Sequence, residues 1–169
     1  DASAKGAYLD GGEGDDWIYG TSGDDTIVAL SGIKKVYGNA GADLIIKTGN
    51  GVGTIEGGGG FDTISYISHT PPGFGKLSGV MVDFSENVGM NGKGVDTIHD
   101  VEHLIGSPFD DELTGDGAAN QIDGGLGNDR LWGGNGNDRH IGGEGNDLLY
   151  GDAGNDTLGG GNGADTLDG

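Results

Sequence analysis

The chain has no cysteine, only 3 prolines, and 8 Lys and Arg against 28 Asp and Glu in 169 residues. Without cysteine there are no disulfides to staple a thin core and no thiolate metal sites. The shortage of basic residues leaves a net charge of −20. That excludes a nucleic-acid partner, because phosphate binding needs the opposite sign, and it disfavours anionic membrane surfaces. No apolar run approaches the length of a membrane span, so no membrane insertion is expected in this segment. The first residues, DASAKGAYLD, lack the basic and apolar regions of a classical signal peptide. Catalytic signatures are also missing: there is no Gly-x-Ser-x-Gly elbow, no His-Glu-x-x-His pair and no P-loop, so no enzyme is expected. Hydrophobic residues make up 33%, too few for a conventional core, and a chain this acidic stays disordered unless counter-charge is supplied.

What is abundant is glycine, 41 residues in all, and it recurs with a period of nine. Seven blocks run without a break from Gly106 to Asp168, four of them GGLGNDRLW, GGNGNDRHI, GGEGNDLLY and GDAGNDTLG. The pattern is Gly-Gly-x-Gly-x-Asp-x-U-x, with U a large aliphatic residue. The sixth positions are Asp111, Asn120, Asp129, Asp138, Asp147, Asp156 and Asp165. Earlier in the chain, blocks starting at Gly11, Gly20, Gly38 and Gly57 fit as well, with Asp16, Asp25, Asp43 and Asp62 in sixth place. Ala29 to Tyr37 keeps the period but puts Lys34 where aspartate belongs, and Lys47 to Glu56 has ten residues.

The chain therefore divides into a first repeat block (1–65), a connector (66–105) and a second repeat block (106–169). The connector is expected to hold a loop around Pro71 and Pro72, an alternating strand from Gly79 to Phe84, and a Gly/Asn-rich turn from Asn87 to Gly94. Its expected role is structural, carrying the repeats across a gap. The chain ends at Gly169, the first residue of what would be another repeat, which reads as a fragment cut from a larger protein.

A nine-residue period cannot build helices, because the apolar position returns at the wrong interval and glycines interrupt every window. Each block is instead a glycine-dependent turn followed by a three-residue strand with one inward side chain. The inward set reads Ile18, Ile27, Val36, Ile45 and Ile64, then Leu113, Ile122, Leu131, His140, Leu149, Leu158 and Leu167.

The nonapeptide pattern resembles that of the RTX (repeats-in-toxin) calcium-binding family. The order FDTISY, GVMVDF and VDTIHDVEHLIGS also resembles a connector found between RTX repeat blocks. The resemblance implies an all-β parallel β-roll, a β-solenoid in which two blocks make one coil and Ca²⁺ ions sit between successive turns. Aspartates eighteen residues apart then stack at about 4.8 Å, which is repulsive unless a cation lies between them. Carboxylates and turn carbonyls without His or Cys form a hard-cation set that suits Ca²⁺ better than octahedral Mg²⁺. Roughly six to eight Ca²⁺ would cancel most of the charge. Folding and binding are then one event.

The expected metal carboxylates are Asp25, Asp43, Asp62, Asp111, Asp129, Asp138, Asp147, Asp156 and Asp165, with Asn120 and Asp16 weaker. Backbone ligands are expected from the turn glycines Gly124, Gly127, Gly133, Gly136, Gly142 and Gly145. Asp16 faces Lys34 at the eighteen-residue offset, so the Lys34 ammonium is expected to take the cation's place there. His140 is expected to be a neutral, hydrogen-bonded residue. His99 and His103 are read as connector decoration rather than a zinc pair. Trp17, Tyr19, Tyr37, Trp132 and Tyr150 are read as outer-face residues rather than a sugar platform.

The reading is a non-catalytic calcium-binding module of a larger secreted bacterial protein. In the family such modules leave by type I secretion and fold outside the cell. The alternatives are a polysaccharide-binding accessory module of a carbohydrate-modifying enzyme resembling an alginate epimerase, or a structural segment of an adhesin or surface-layer protein.

Overall fold

The computed structural model describes residues 5–32, 34–48, 51–68, 79–91 and 94–169, so the loop expected around Pro71 and Pro72 lies outside the described residues. Among these there is no helix. The first block forms β1 (Tyr8–Asp10), β2 (Asp16–Tyr19), β3 (Thr26–Ala29), β4 (Lys34–Ala40), β5 (Leu44–Lys47), β6 (Gly53–Gly59) and β7 (Thr63–Ser65). Next come β8 (Met81–Asp83), β9 (Val88–Met90), β10 (Val95–His99) and β11 (His103–Ile105). The last block forms β12 (Glu112–Thr114), β13 (Gln121–Leu126), β14 (Arg130–Trp132), β15 (Asn135–Gly136), β16 (Arg139–Glu144), β17 (Leu148–Tyr150), β18 (Ala153–Gly154), β19 (Thr157–Asn162) and β20 (Thr166–Asp168).

Apart from β8, β9 and β10, which share one sheet, and β15 and β18, which pair in parallel as a small third sheet, successive strands alternate between two sheets, giving a β-solenoid of the parallel β-roll type. Sheet A has the order β1-β3-β5-β7-β11-β13-β16-β19, and every neighbouring pair in it is parallel. Sheet B has the order β2-β4-β6-β10-β9-β8-β12-β14-β17-β20. The register follows the repeat: Ile122 pairs with His140 and Leu131 with Leu149, eighteen residues apart. The ten-residue block appears as one extra residue, pairing Lys34 with Gly53 and Leu44 with Thr63.

One inward side chain per strand stacks into two columns. Sheet A contributes Leu9, Ile27, Ile45, Ile64, Leu104, Ile122, His140 and Leu158. Sheet B contributes Ile18, Val36, Ile55 and Ile98 on one side of β9. On the other side it contributes Val82, Leu113, Leu131, Leu149 and Leu167. The central members are fully buried, whereas Leu167, expected inward, is 45% exposed because β20 is the outer strand of its sheet.

Among the described residues between 66 and 105, the parallel stacking is interrupted in sheet B and continuous in sheet A. In sheet A, β7 pairs directly with β11. In sheet B, an antiparallel meander of β8, β9 and β10 lies between β6 and β12. The Gly/Asn-rich segment expected to be a turn contains β9, because pairing on both sides outweighs the poor strand propensity of Gly and Asn. The meander gives sheet B two strands more than sheet A, roughly 10 Å at one strand spacing each. Tyr66, Val80, Val82, Phe84, Ile98 and Val101, all buried, fill the widened interior.

Candidate metal-binding edges

The turns lie on two edges of the roll. Edge I holds those leading into sheet B, with Asp16, Lys34 and Gly53 in the first block, Asp96 beside Gly53 on the meander strand β10, and Asp111, Asp129, Asp147 and Asp165 after the meander. Edge II holds those leading into sheet A, with Asp25, Asp43, Asp62, Glu102, Asn120, Asp138 and Asp156.

Along both edges one hydrogen bond recurs. At seven sixth positions the amide donates to Oδ1 of the aspartate one coil further on. Asp25 donates to Asp43, Asp111 to Asp129, Asn120 to Asp138 and Asp129 to Asp147, each at 2.8 Å. Asp138 donates to Asp156 at 2.9 Å and Asp147 to Asp165 at 3.0 Å. This bond fixes the rotamer of each accepting carboxylate and turns its second oxygen into the turn. There, Oδ2 of Asp43, Asp62, Asp129, Asp138 and Asp147 is buried with no hydrogen-bond partner among the described residues. A buried, unpartnered carboxylate oxygen is costly unless a cation meets it.

Glycine makes the space. A Cβ on Gly124 would lie 2.4 Å from Oδ2 of Asp129, and one on Gly142 would lie 2.4 Å from Oδ2 of Asp147. First-position glycines therefore leave room for the carboxylate of their own block. Second- and fourth-position glycines have positive φ, as at Gly143 (113°) and Gly145 (136°). A Cβ there would lie 2.1 Å from the Gly125 carbonyl oxygen and 1.6 Å from that of Gly127. The carbonyls of these positions thus point along the roll axis, from one turn toward the next.

The structure contains its own test of what this pocket holds. Lys34 is buried, and its ammonium donates to the carbonyls of Gly12 (3.0 Å) and Gly14 (2.5 Å) and to the carboxylate of Asp16. Those are the second, fourth and sixth positions of one block, converging on a positive charge. In other turns the same positions, such as Gly125, Gly127 and Asp129, offer oxygen donors only. That set fits a hard divalent cation and lacks the nitrogen and sulfur ligands that softer metals take. No group of three or more His, Asp or Glu side chains gathers among the described residues, so backbone carbonyls must complete any site.

The electrostatics match. Burial pushes Asp129 up to about 8, with Asp111, Asp147 and Asp110 adding to the shift against the opposing Asp111 amide. Burial likewise raises Asp62 to about 6, helped by Asp43, Glu102 and Asp100. It also raises Asp43, Asp138 and Asp147. A cation reverses this penalty.

The sixth positions are not equivalent. Both oxygens of Asp25 are met by donors from its own turn and the preceding coil, Thr21 N (2.6 Å), Thr21 Oγ1 and Ala7 N (2.5 Å). Burial acts to raise Asp25, but these bonds outweigh it and hold its pKa low. Asp111 is met in the same way by Ser107 N, Ser107 Oγ and Val80 N, though burial still raises it to about 6. Asn120 Oδ1 accepts from the Asp116 amide at 2.8 Å, leaving its buried Nδ2 unpartnered. Asp156 and Asp165 are less buried than the aspartates before them.

Two carboxylates in these columns were missed in the sequence. Glu102 accepts the Asp62 amide at 2.8 Å, the position an aspartate holds elsewhere. Asp96 accepts the Gly53 amide. The available signal was their place two residues before the inward Leu104 and Ile98.

His140 is fully buried, and neither ring nitrogen has a partner among the described residues, so the expected hydrogen bond is absent there. Burial lowers its pKa, which keeps the ring neutral. His99 and His103 lie on opposite sheets and engage Asn87 (3.1 Å) and Thr63 (3.3 Å) separately. On the outer face of sheet B, Tyr19 stacks on Tyr37 at 5.0 Å and Trp132 on Tyr150 at 5.9 Å. The Lys35 ammonium lies 4.3 Å from the Trp17 ring centre. These rings spend their faces on neighbours in the next coil. Asp83 caps the β8–β9 turn through Ser85 Oγ and the Glu86 amide.

Compared with known protein families, the chain matches the RTX calcium-binding nonapeptide repeat (4 copies) over residues 7–33, 105–139 and 132–167. These segments make up more than half of the chain. No curated protein matches it.

Proposed function

The chain belongs to the RTX calcium-binding nonapeptide-repeat family, and from that premise we propose that it is a non-catalytic folding module of a larger secreted bacterial protein. Its calcium ions are held by Asp129, Asp147 and Asp165 on edge I and by Asp43, Asp62, Asp138 and Asp156 on edge II. Carbonyls of the second- and fourth-position residues, Gly125, Gly127, Gly134, Gly136, Gly143 and Gly145 among them, complete the sites. Gly124, Gly133 and Gly142 serve by making room. Asp25 and Asp111 take part more weakly, because their own turns already satisfy them, and Asn120 does so because its Oδ1 already accepts from the Asp116 amide.

The observation that carries the reading is the series of buried Oδ2 atoms without donors, each set by the same amide bond. Bound calcium supplies positive charge between coils that otherwise repel. The chain's own groups do the rest: the amides orient the carboxylates, the glycines let carbonyls face the next turn, and the aliphatic columns exclude water. A core of one aliphatic side chain per strand is too thin to hold a chain of net charge −20 by itself. The chain is therefore unfolded where calcium is scarce, as in the cytosol, and folds outside the cell.

Far-UV circular dichroism in chelator, then through calcium and magnesium titrations, tests this. A coil spectrum that becomes β-rich with calcium at concentrations where magnesium does nothing is the expected result. A chain already folded in chelator overturns the proposal.

A further inference from the structure

Edge I from β2 through β10 is unlike every other stretch of the turns. Its sixth positions are Asp16, Lys34, Gly53 and Asp96, and two lysines are sealed inside it. Lys34 reaches back to the block before it, as described above. Lys47 comes from the opposite sheet. It is the last residue of β5 in sheet A, fully buried, and its ammonium lies 2.6 Å from the Gly51 carbonyl oxygen. It is also ion-paired with Asp96 Oδ1 at 3.2 Å. Gly51 stands two residues before the sixth-position Gly53, so it corresponds to Gly14 and Gly127. Each ammonium therefore rests on a fourth-position carbonyl and a sixth-position carboxylate.

The surroundings complete both sites. Lys34 meets three acceptors with its three N–H groups, which satisfies an ammonium fully. Around Lys47, the buried Asn91 bridges the same carbonyl and carboxylate, with Nδ2 at 3.1 Å from Gly51 O and 3.3 Å from Asp96 Oδ2. A buried charge persists only where it is paired and hydrogen-bonded, and both lysines meet that condition. A divalent ion at either level would have to share its oxygens with a fixed positive charge, so ammonium and calcium exclude each other there.

We propose that Lys34 and Lys47 are built-in counter-cations, closing edge I of the first block at two levels where the repeat elsewhere takes calcium. This rests on the calcium reading of the other turns. As a consequence, the roll's calcium demand is confined to edge II and to the block after the meander. The stack of β2, β4, β6 and β10 needs fewer ions than the stack of β12, β14, β17 and β20. Lys47 and Asp96 also tie the meander to the first block, so the connector belongs to the end of the roll that is partly neutralised by its own side chains.

The test compares the whole chain with Lys34→Asp, which restores the repeat's own residue, and Lys34→Met, which leaves Asp16 without a counter-charge. Bound calcium is counted by equilibrium dialysis, and amide hydrogen exchange is followed by mass spectrometry through a calcium titration. In the wild type, β2 and β4 should gain protection at lower calcium than β14 and β17. Lys34→Asp should bind one more calcium ion per chain and move protection of β2 and β4 to higher calcium. Lys34→Met should lose that protection at all calcium concentrations, with the transition of β14 and β17 unchanged. Equal midpoints for both regions in the wild type overturn the proposal, as does a Lys34→Asp chain that binds no extra calcium or does not fold in it. Failure of the underlying calcium reading looks different: β14 and β17 of the wild type would then not respond to calcium at all.

Discussion

The amide of Asp129 donates to Oδ1 of Asp147 at 2.8 Å, while Oδ2 of the same buried carboxylate has no partner among the described residues. One oxygen orders the chain, and the other is the one proposed above to meet calcium. The two roles separate by substitution. Asp147→Asn keeps the Oδ1 acceptor and removes the charge, so it should raise the calcium midpoint of folding and leave the chelated chain no less structured. Asp147→Ala loses the acceptor as well, and should cost about 1–3 kcal/mol more than the asparagine variant in calcium. Urea unfolding in saturating calcium measures the difference; equal losses for the two variants would refute the division of labour.

Gly145 and Gly117 provide a contrast in backbone demand. Gly145 has φ 136°, and a Cβ there would lie 1.6 Å from the Gly127 carbonyl oxygen. Gly145→Ala should therefore cost about 1–3 kcal/mol from backbone strain, with the steric overlap in addition. Nothing lies within 4 Å of a Cβ at Gly117, and Gly117→Ala should stay within about 0.5 kcal/mol of wild type. Thermal unfolding in calcium distinguishes the two.

His140 stands in the sheet A column between Ile122 and Leu158, and neither of its buried ring nitrogens is satisfied. His140→Leu should therefore stabilise the calcium-loaded roll by about 1–3 kcal/mol, the cost of leaving a buried polar group unpaired. Denaturant melts of the two chains check this, and a destabilised leucine variant would point to a partner for the ring.

Asn120 interrupts edge II between Glu102 and Asp138. Asn120→Asp restores a carboxylate oxygen where the buried Nδ2 now has no partner. It should add one bound calcium and lower the calcium midpoint, as read by equilibrium dialysis and circular dichroism. An unchanged ion count would mean that the Asp116 amide alone governs this turn.

Much of this architecture is legible in the sequence because period and geometry coincide. The spacing of Ile122, His140 and Leu158 states the register directly, and glycine at positions such as 143 and 145 states the positive φ. The exchange of Asp16's partner for Lys34 is legible for the same reason, since both sit at sixth positions. Legibility ends where pairing stops being periodic. Thr63 pairs with His103 across forty residues, so nothing local announces that Glu102 continues the column of Asp62. Lys47 lies in the irregular ten-residue block, and its partner Asp96 is set beside Gly53 only by the meander. His140 shows a different limit: its inward position follows from the period, but whether a buried ring finds a partner depends on neighbours that the period does not specify.

Locating the ions in crystals grown in calcium, by long-wavelength anomalous diffraction, tests the central claim most directly. The account predicts anomalous peaks between turns beside Oδ2 of Asp43, Asp62, Asp129, Asp138 and Asp147, and none beside the Lys34 or Lys47 ammonium. Peaks at Asp16 and Lys34, or a roll folded in calcium with no peaks between its turns, would contradict it.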